Sequence, residues 1–193
     1  RLQYEIKITG RPAHAGSRHI DGRNAIKETA HQILKIEALT DYETGVSCSV
    51  GTIEGGTFTN VVPQECVITV DIRVPDMETG DEIMAIFEGL EAVDPDCSLE
   101  VTGGVDRPAY EKFDGIAKLF DQAKEIAVEI GFDLQDMKTG GGSDGNFTGA
   151  LGIPTLDGLG ADGKGAHTHD EFIYYSSLED RAKLMLGLFE ALD

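Results

Sequence analysis

Cys66-Val67-Ile68-Thr69-Val70-Asp71-Ile72-Arg73-Val74 is the stretch on which the fold turns. Cys66, Ile68, Val70, Ile72 and Val74 alternate with Thr69, Asp71 and Arg73, the two-residue period of a strand with one face buried. Upstream, Glu54-Gly55-Gly56-Thr57 reads as a turn and Val46 to Ile53 as the strand before it, so the two runs form a hairpin. Further out, Leu2, Tyr4, Ile6 and Ile8 alternate with polar residues as a first strand. Ile26, Ala30, Ile33 and Leu34 follow at helical spacing, with Asp21 or Asn24 as the cap. Beyond the hairpin, Ile83, Ile86, Phe87, Leu90 and Val93 form a second helical stripe, and Cys97, Leu99 and Val101 a last short strand. The order is βαββαβ, the split βαβ pattern of a ferredoxin-like domain.

Gly103-Gly104-Val105-Asp106-Arg107-Pro108 marks a boundary, because longer helices replace the strand pattern after it. Residues 1–106 are expected to form one domain and 107–193 part of another. Helices are expected over Phe113 to Ile130 and over Ser177 to Leu192, the latter with Leu178, Ala182, Met185, Phe189 and Leu192 on its stripe. A strand is expected at Phe132 to Met137 and another ending near Leu159, with a glycine loop and a short helix between them. That half is thin for an independent core.

Hydrophobic residues make up 40% of the chain and the mean hydropathy is −0.17, ordinary for a globular protein. With 16 basic and 35 acidic residues the formal charge is −19, which argues against nucleic-acid or anionic-membrane partners. No run of apolar residues is long enough for a membrane span and no signal-like segment opens the chain, so a cytoplasmic location is expected. The chain starts at Arg1 inside an expected strand, and a longer parent is expected from this. Cys48, Cys66 and Cys97 stand singly in apolar runs and read as buried small hydrophobes.

Chemistry-bearing residues occur in four places. His167 and His169 make an HxH pair in a glycine-flanked loop, metal-type donors for which the remaining histidines, His14, His19 and His31, supply no spaced partners. His14 sits in an exposed strand-to-helix loop, either available to a ligand or merely capping the loop. Arg73 is on the strand face opposite Ile72, and Asn60 precedes the same strand. Arg107 lies at the domain junction, where clefts form. Gly140, Gly142 and Gly145 satisfy GxGxxG, but too little chain follows for a dinucleotide domain. The Gly158 to Gly165 stretch lacks the Ser or Thr of a P-loop, and Asn146-Phe147-Thr148 is only a formal glycosylation sequon.

The segments GRPAHAG, GRNAI, GTIEGGTFTNVVP, DIR, DRPAY, TGGGSDGN, GIPTLDGLG and GAHTHDEFI occur in this order and cover nearly the whole chain. In them the chain resembles the two-zinc metallopeptidases that include glutamate carboxypeptidases, aminoacylases, tripeptidase-T-like enzymes and desuccinylases. The resemblance implies an α+β chain: a ferredoxin-like βαββαβ dimerisation or lid domain followed by a partial α/β zinc-exopeptidase catalytic domain whose N-terminal part is absent. It implies that His167 is a ligand of the second zinc, with His169 outside the ligand set. It implies that His14 reaches the partner subunit's site in a homodimer and hydrogen-bonds the oxyanion of a tetrahedral intermediate. Asn60, Arg73 and Arg107, with the backbone of Gly142, Ser143 and Asp144, resemble the residues that hold the substrate's terminal carboxylate, a task suited to the guanidinium fork. The parent is expected to hydrolyse an amide bond in a peptide or N-acyl amino acid, with two zinc ions per subunit. The 193-residue chain alone is expected to be silent, since the other ligands and the general base come from the absent segment. The alternative is a non-catalytic ferredoxin-like oligomerisation or binding module. For pairing, the expectation is an open edge strand and an apolar shoulder at Ile36 and Leu39.

Overall fold

In the computed structural model, which describes residues 1–191, the chain divides into two compact units, Arg1–Tyr110 and the segment from Glu111 onward. In the first unit the order is β1 (Leu2–Thr9), α1 (Ala25–Glu37), β2 (Ser47–Gly55), β3 (Glu65–Arg73), α2 (Met77–Glu88) and β4 (Ser98–Val105). The four strands form one antiparallel sheet in the order β2-β3-β1-β4, the ferredoxin-like arrangement. Leu2 to Thr9 pair with Ile72 to Glu65 on one side and with Val105 to Ser98 on the other, so β1 and β3 are central.

The alternation in β3 does what its period requires. Cys66, Ile68, Val70 and Ile72 are buried, and Leu2, Tyr4, Ile6 and Ile8 meet them from β1. Phe87 of α2 closes this core, fully buried and stacked on Tyr4 with ring centroids 4.4 Å apart. Capping starts the helices where polar side chains can reach the first amides: Asn24 Oδ1 accepts from Lys27 N–H, and Asp76 Oδ1 from Thr79 N–H.

The helix faces differ from the apolar stripes. On α1 the buried positions are Ala25, Glu28, Thr29, Gln32 and Ile36, whereas Leu34 is 71% exposed. Polar residues are tolerated inward because they find partners. Glu28 accepts hydrogen bonds from Val93 and Asp94 N–H and from Gln32, and so holds the loop between α2 and β4. Ile36 is therefore part of the core and Leu39 packs against it, which removes the shoulder expected for pairing. Apolar side chains exposed on this flank are Ile26 and Leu34 of α1 and Ile53 on the edge strand β2. On α2, Ile83 and Phe87 are buried while Ile86 is exposed, and the helix ends before Val93.

The second unit holds α3 (Asp114–Ile130), α4 (Gly145–Ala150), the two-residue strands β5 (Gly163–Lys164) and β6 (Phe172–Ile173), and α5 (Ser177–Ala191). Its core is small: Ala123 and Ala127 of α3, Leu184 and Leu188 of α5, and Leu134. A Cβ at Gly187 would stand 2.8 Å from the Ile126 side chain, so glycine lets the two helices approach. Leu184 and Leu188 take the inward face of α5, and the expected stripe of Leu178, Met185 and Phe189 is exposed. Leu192 lies outside the described residues. Phe132 to Met137 and the stretch ending at Leu159 are not strands, having no ladder partner among the described residues.

Candidate functional site

The loop carrying His14 is built from the end of β1 and pinned by the segment before β3. Gly10 makes the close approach possible, since a Cβ there would lie 2.2 Å from the Arg23 carbonyl oxygen. Arg11 and Arg23 then exchange backbone hydrogen bonds of 2.9 and 2.8 Å. Ala15 N–H donates to the Asn60 carbonyl and Val62 N–H to the Ala13 carbonyl, each at 2.9 Å, so His14 faces Val61 across a short bridge. The structure thus brings His14 and Asn60 into one pair of loops, both exposed. The His14 ring is oriented locally: Nδ1 accepts from the N–H groups of Gly16 at 3.1 Å and Ser17 at 3.2 Å.

Arg73 and Arg107 meet in a different place, the far end of the sheet. Arg73 Nε donates to Asp71 Oδ1 at 2.6 Å, and Arg1 Nε to Asp71 Oδ2 at the same distance. Arg1 also reaches Asp106 at 3.2 Å, and Asp106 accepts from Arg107 at 2.9 Å. Burial raises the Asp71 pKa, but the hydrogen bonds and charges of Arg73 and Arg1 outweigh it and hold the carboxyl below its usual range. Arg1, Asp71 and Asp106 were not among the residues singled out in the sequence. The signal for Asp71 was its place two residues before Arg73 on the same strand face.

Asn60 and Arg73 are not brought together. The strand between them, Glu65–Arg73, spans roughly 25 Å at about 3.3 Å per residue, so one small ligand cannot touch both in one copy of the chain.

In the second unit, the glycine loop satisfies itself. Ser143 N–H donates to Asn146 Oδ1 at 2.9 Å, the Ser143 hydroxyl to the Asp157 carboxylate, and Gly145 N–H to Ser143 Oγ at 3.0 Å. An anion near Gly142 and Asp144 would have to compete with Asn146 for the Ser143 amide. His167 tops the hairpin of β5 and β6, where Thr168 N–H bonds the Gly165 carbonyl at 3.0 Å. Among the described residues it is the non-glycine residue with positive φ, 67°. A left-handed backbone disfavours a residue that carries a Cβ by on the order of 1–2 kcal/mol, and such strain concentrates at functional positions. Among the described residues no three His, Cys, Asp or Glu side chains are grouped to hold a metal ion. His167 is in no such group, and the described residues do not make a zinc centre by themselves. The cysteines are buried thiols, with Cys48 pushed up to about 11 by burial, and are unsuited to ligation.

Residues 1–90 match the M20 family's peptidase dimerisation domain. Carboxypeptidase G2 of a Pseudomonas species is 27% identical over 192 residues, covering 95% of this chain and 46% of that protein. Succinyl-diaminopimelate desuccinylase of Cupriavidus taiwanensis is 26% identical over 198 residues, covering 99% and 50%. A tripeptidase from Staphylococcus aureus superposes with a TM-score of 0.74 at 25% identity, over 99% of this chain and 51% of that one. The chain spans about half the length of the relatives it matches.

Proposed function

We propose, from the match of residues 1–90 to the M20 peptidase dimerisation domain, that the chain is the lid and closing part of a zinc-dependent amide hydrolase. Its substrate class is a peptide or N-acyl amino acid with a free carboxylate. The observation that carries the reading is the His14 ring, exposed and with Nδ1 accepting from the Gly16 and Ser17 amides, which leaves Nε2 as the nitrogen that would act as a donor. Water attack on an amide carbonyl turns its oxygen into an oxyanion, and a fixed N–H donor stabilises that charge where it develops. Asn60, beside it, adds a neutral donor. Arg73 and Arg107, held by Asp71 and Asp106, are the guanidiniums that would meet a substrate carboxylate.

Because the two groups sit at opposite ends of β3, one substrate would be served by His14 and Asn60 of one copy and Arg73 of another. That geometry favours a homodimer formed through the first unit, and the exposed Ile26, Leu34 and Ile53 offer apolar surface for it. Two zinc ions per subunit belong to the same proposal for the longer protein, with His167 as one ligand.

The test is kinetic. In the longer protein, His14→Ala is expected to lower kcat by about 10²–10³-fold, the usual loss for an oxyanion donor, with little change in KM. The 193-residue chain alone is expected to release no product. An unchanged kcat in the variant, or turnover by the short chain at enzyme-like rates, overturns the proposal.

A further inference from the structure

We infer that the backbone amides of Gly16 and Ser17 lock His14 in a single neutral tautomer, with the proton on Nε2, and that this makes His14 a donor which cannot serve through Nε2 as a base or a metal ligand. A neutral imidazole has one N–H and one lone pair, and which nitrogen carries the proton follows from what the other nitrogen meets. His14 Nδ1 meets two N–H groups, at 3.1 and 3.2 Å, and with a proton of its own it would confront both. The proton therefore resides on Nε2, and the lone pair that a base or ligand needs is the one occupied at Nδ1.

The lock is rigid because the backbone around it is held from both sides. Ala13 and Ala15 are bonded to Val62 and Asn60 across the bridge, and the His14 carbonyl accepts from Arg18 N–H at 3.0 Å. The turn from His14 to Arg18 is thereby closed, and it aims the Gly16 and Ser17 amides back at the ring. Both contacts to the ring come from backbone amides. A Cβ at Gly16 would sit 3.4 Å from Cε1 and 3.6 Å from Nδ1 of His14, ordinary contact, so Gly16→Ala keeps the amide and the geometry. Gly16 and Ser17 are positioning residues, acting through the histidine and not on substrate.

The inference takes its meaning from the reading of His14 as an oxyanion donor, but its test is independent of activity. In protein labelled with 15N-histidine at pH 8, with His14 assigned by its loss in His14→Gln, Nδ1 is expected at the unprotonated, imine-type position and Nε2 at the protonated, pyrrole-type one. Titrating the ring with acid is expected to move the amide protons of Gly16 and Ser17 together as Nδ1 becomes protonated and the two hydrogen bonds break. Gly16→Ala is expected to leave both signatures in place. A pyrrole-type Nδ1, an averaged pair of nitrogen signals, or amide protons that ignore the titration overturns the lock. An intact lock in a protein whose kcat does not depend on His14 leaves the tautomer standing and removes the hydrolase reading instead.

Discussion

Glu28 is the residue whose chemistry most constrains the first domain. Its carboxylate is 2% exposed and accepts from the amides of Val93 and Asp94 at 2.9 Å each, and from Gln32 at 2.6 Å. Burial pushes its pKa up, but those hydrogen bonds outweigh the penalty and hold it below the usual carboxylate range. A lowered folded-state pKa means stability that is complete above the unfolded value, about 4.3 for Glu, and that decays as pH falls through the lower folded value. Glu28→Ala strands two loop amides and is expected to cost about 2–4 kcal/mol in urea unfolding at pH 7. Glu28→Gln is expected to cost less and to flatten the loss of stability below about pH 4.5. A variant as stable as the parent would show that the loop does not depend on the carboxylate. Nothing in the residue string announced this role, because a glutamate at a helical position reads as solvated until its partners, 65 and 66 residues away, are folded beside it. His14, by contrast, stood out from its loop as either ligand-facing or loop-capping, and the turn aims the Gly16 and Ser17 amides at its Nδ1.

At the scale of elements, α2 shows how a correct helix can carry an uneven stripe. Ile83, Ile86 and Phe87 all fit the apolar pattern, but Phe87 lies on Tyr4 while Ile86 is 42% exposed. Phe87→Ala is expected to destabilise by about 3–5 kcal/mol, the cost of losing a buried ring and leaving its cavity. Ile86→Ala is expected to stay within about 1 kcal/mol, since half-exposed positions carry little packing. Denaturant titration of both variants checks the contrast, and equal losses would mean the helix is rotated from its described face. The β-strands of the first unit were legible because their two-residue period leaves only two choices of face, and the hairpin partner settles which is inward, whereas the short apolar runs of the second unit at Phe132 to Met137 and before Leu159 formed no strand. A helix has a continuous choice of rotation. On α1 and α5 the apolar residues are spread widely enough that neighbouring elements decided: Leu184 and Leu188 went inward on α5, and Met185 and Phe189 did not.

For the molecule as a whole, the two units differ in what they bury. The first has 14 buried core residues, drawn from both helices and from β1, β2 and β3, with Leu99 and Val101 of β4 packed against them, and the second has five in its cluster. The second also exposes Val128, Met137, Leu151, Tyr175, Leu186 and Phe189. Native-state hydrogen exchange is therefore expected to show the amides of β1 and β3 opening only by global unfolding, and those of α3 and α5 opening at lower free energy. Uniform protection across both units would contradict this. The βαββαβ order could be read from the residue string alone, because period-two alternation is a local property of the chain, whereas the two compact units divide after Tyr110, four residues beyond the break expected at Asp106. Only the tertiary structure decided that Asn60 stays with His14 while Arg73 joins Arg1, Asp71, Asp106 and Arg107. Side chains close together in sequence are carried to opposite ends of the sheet by the strand between them, and those far apart are brought together by its register.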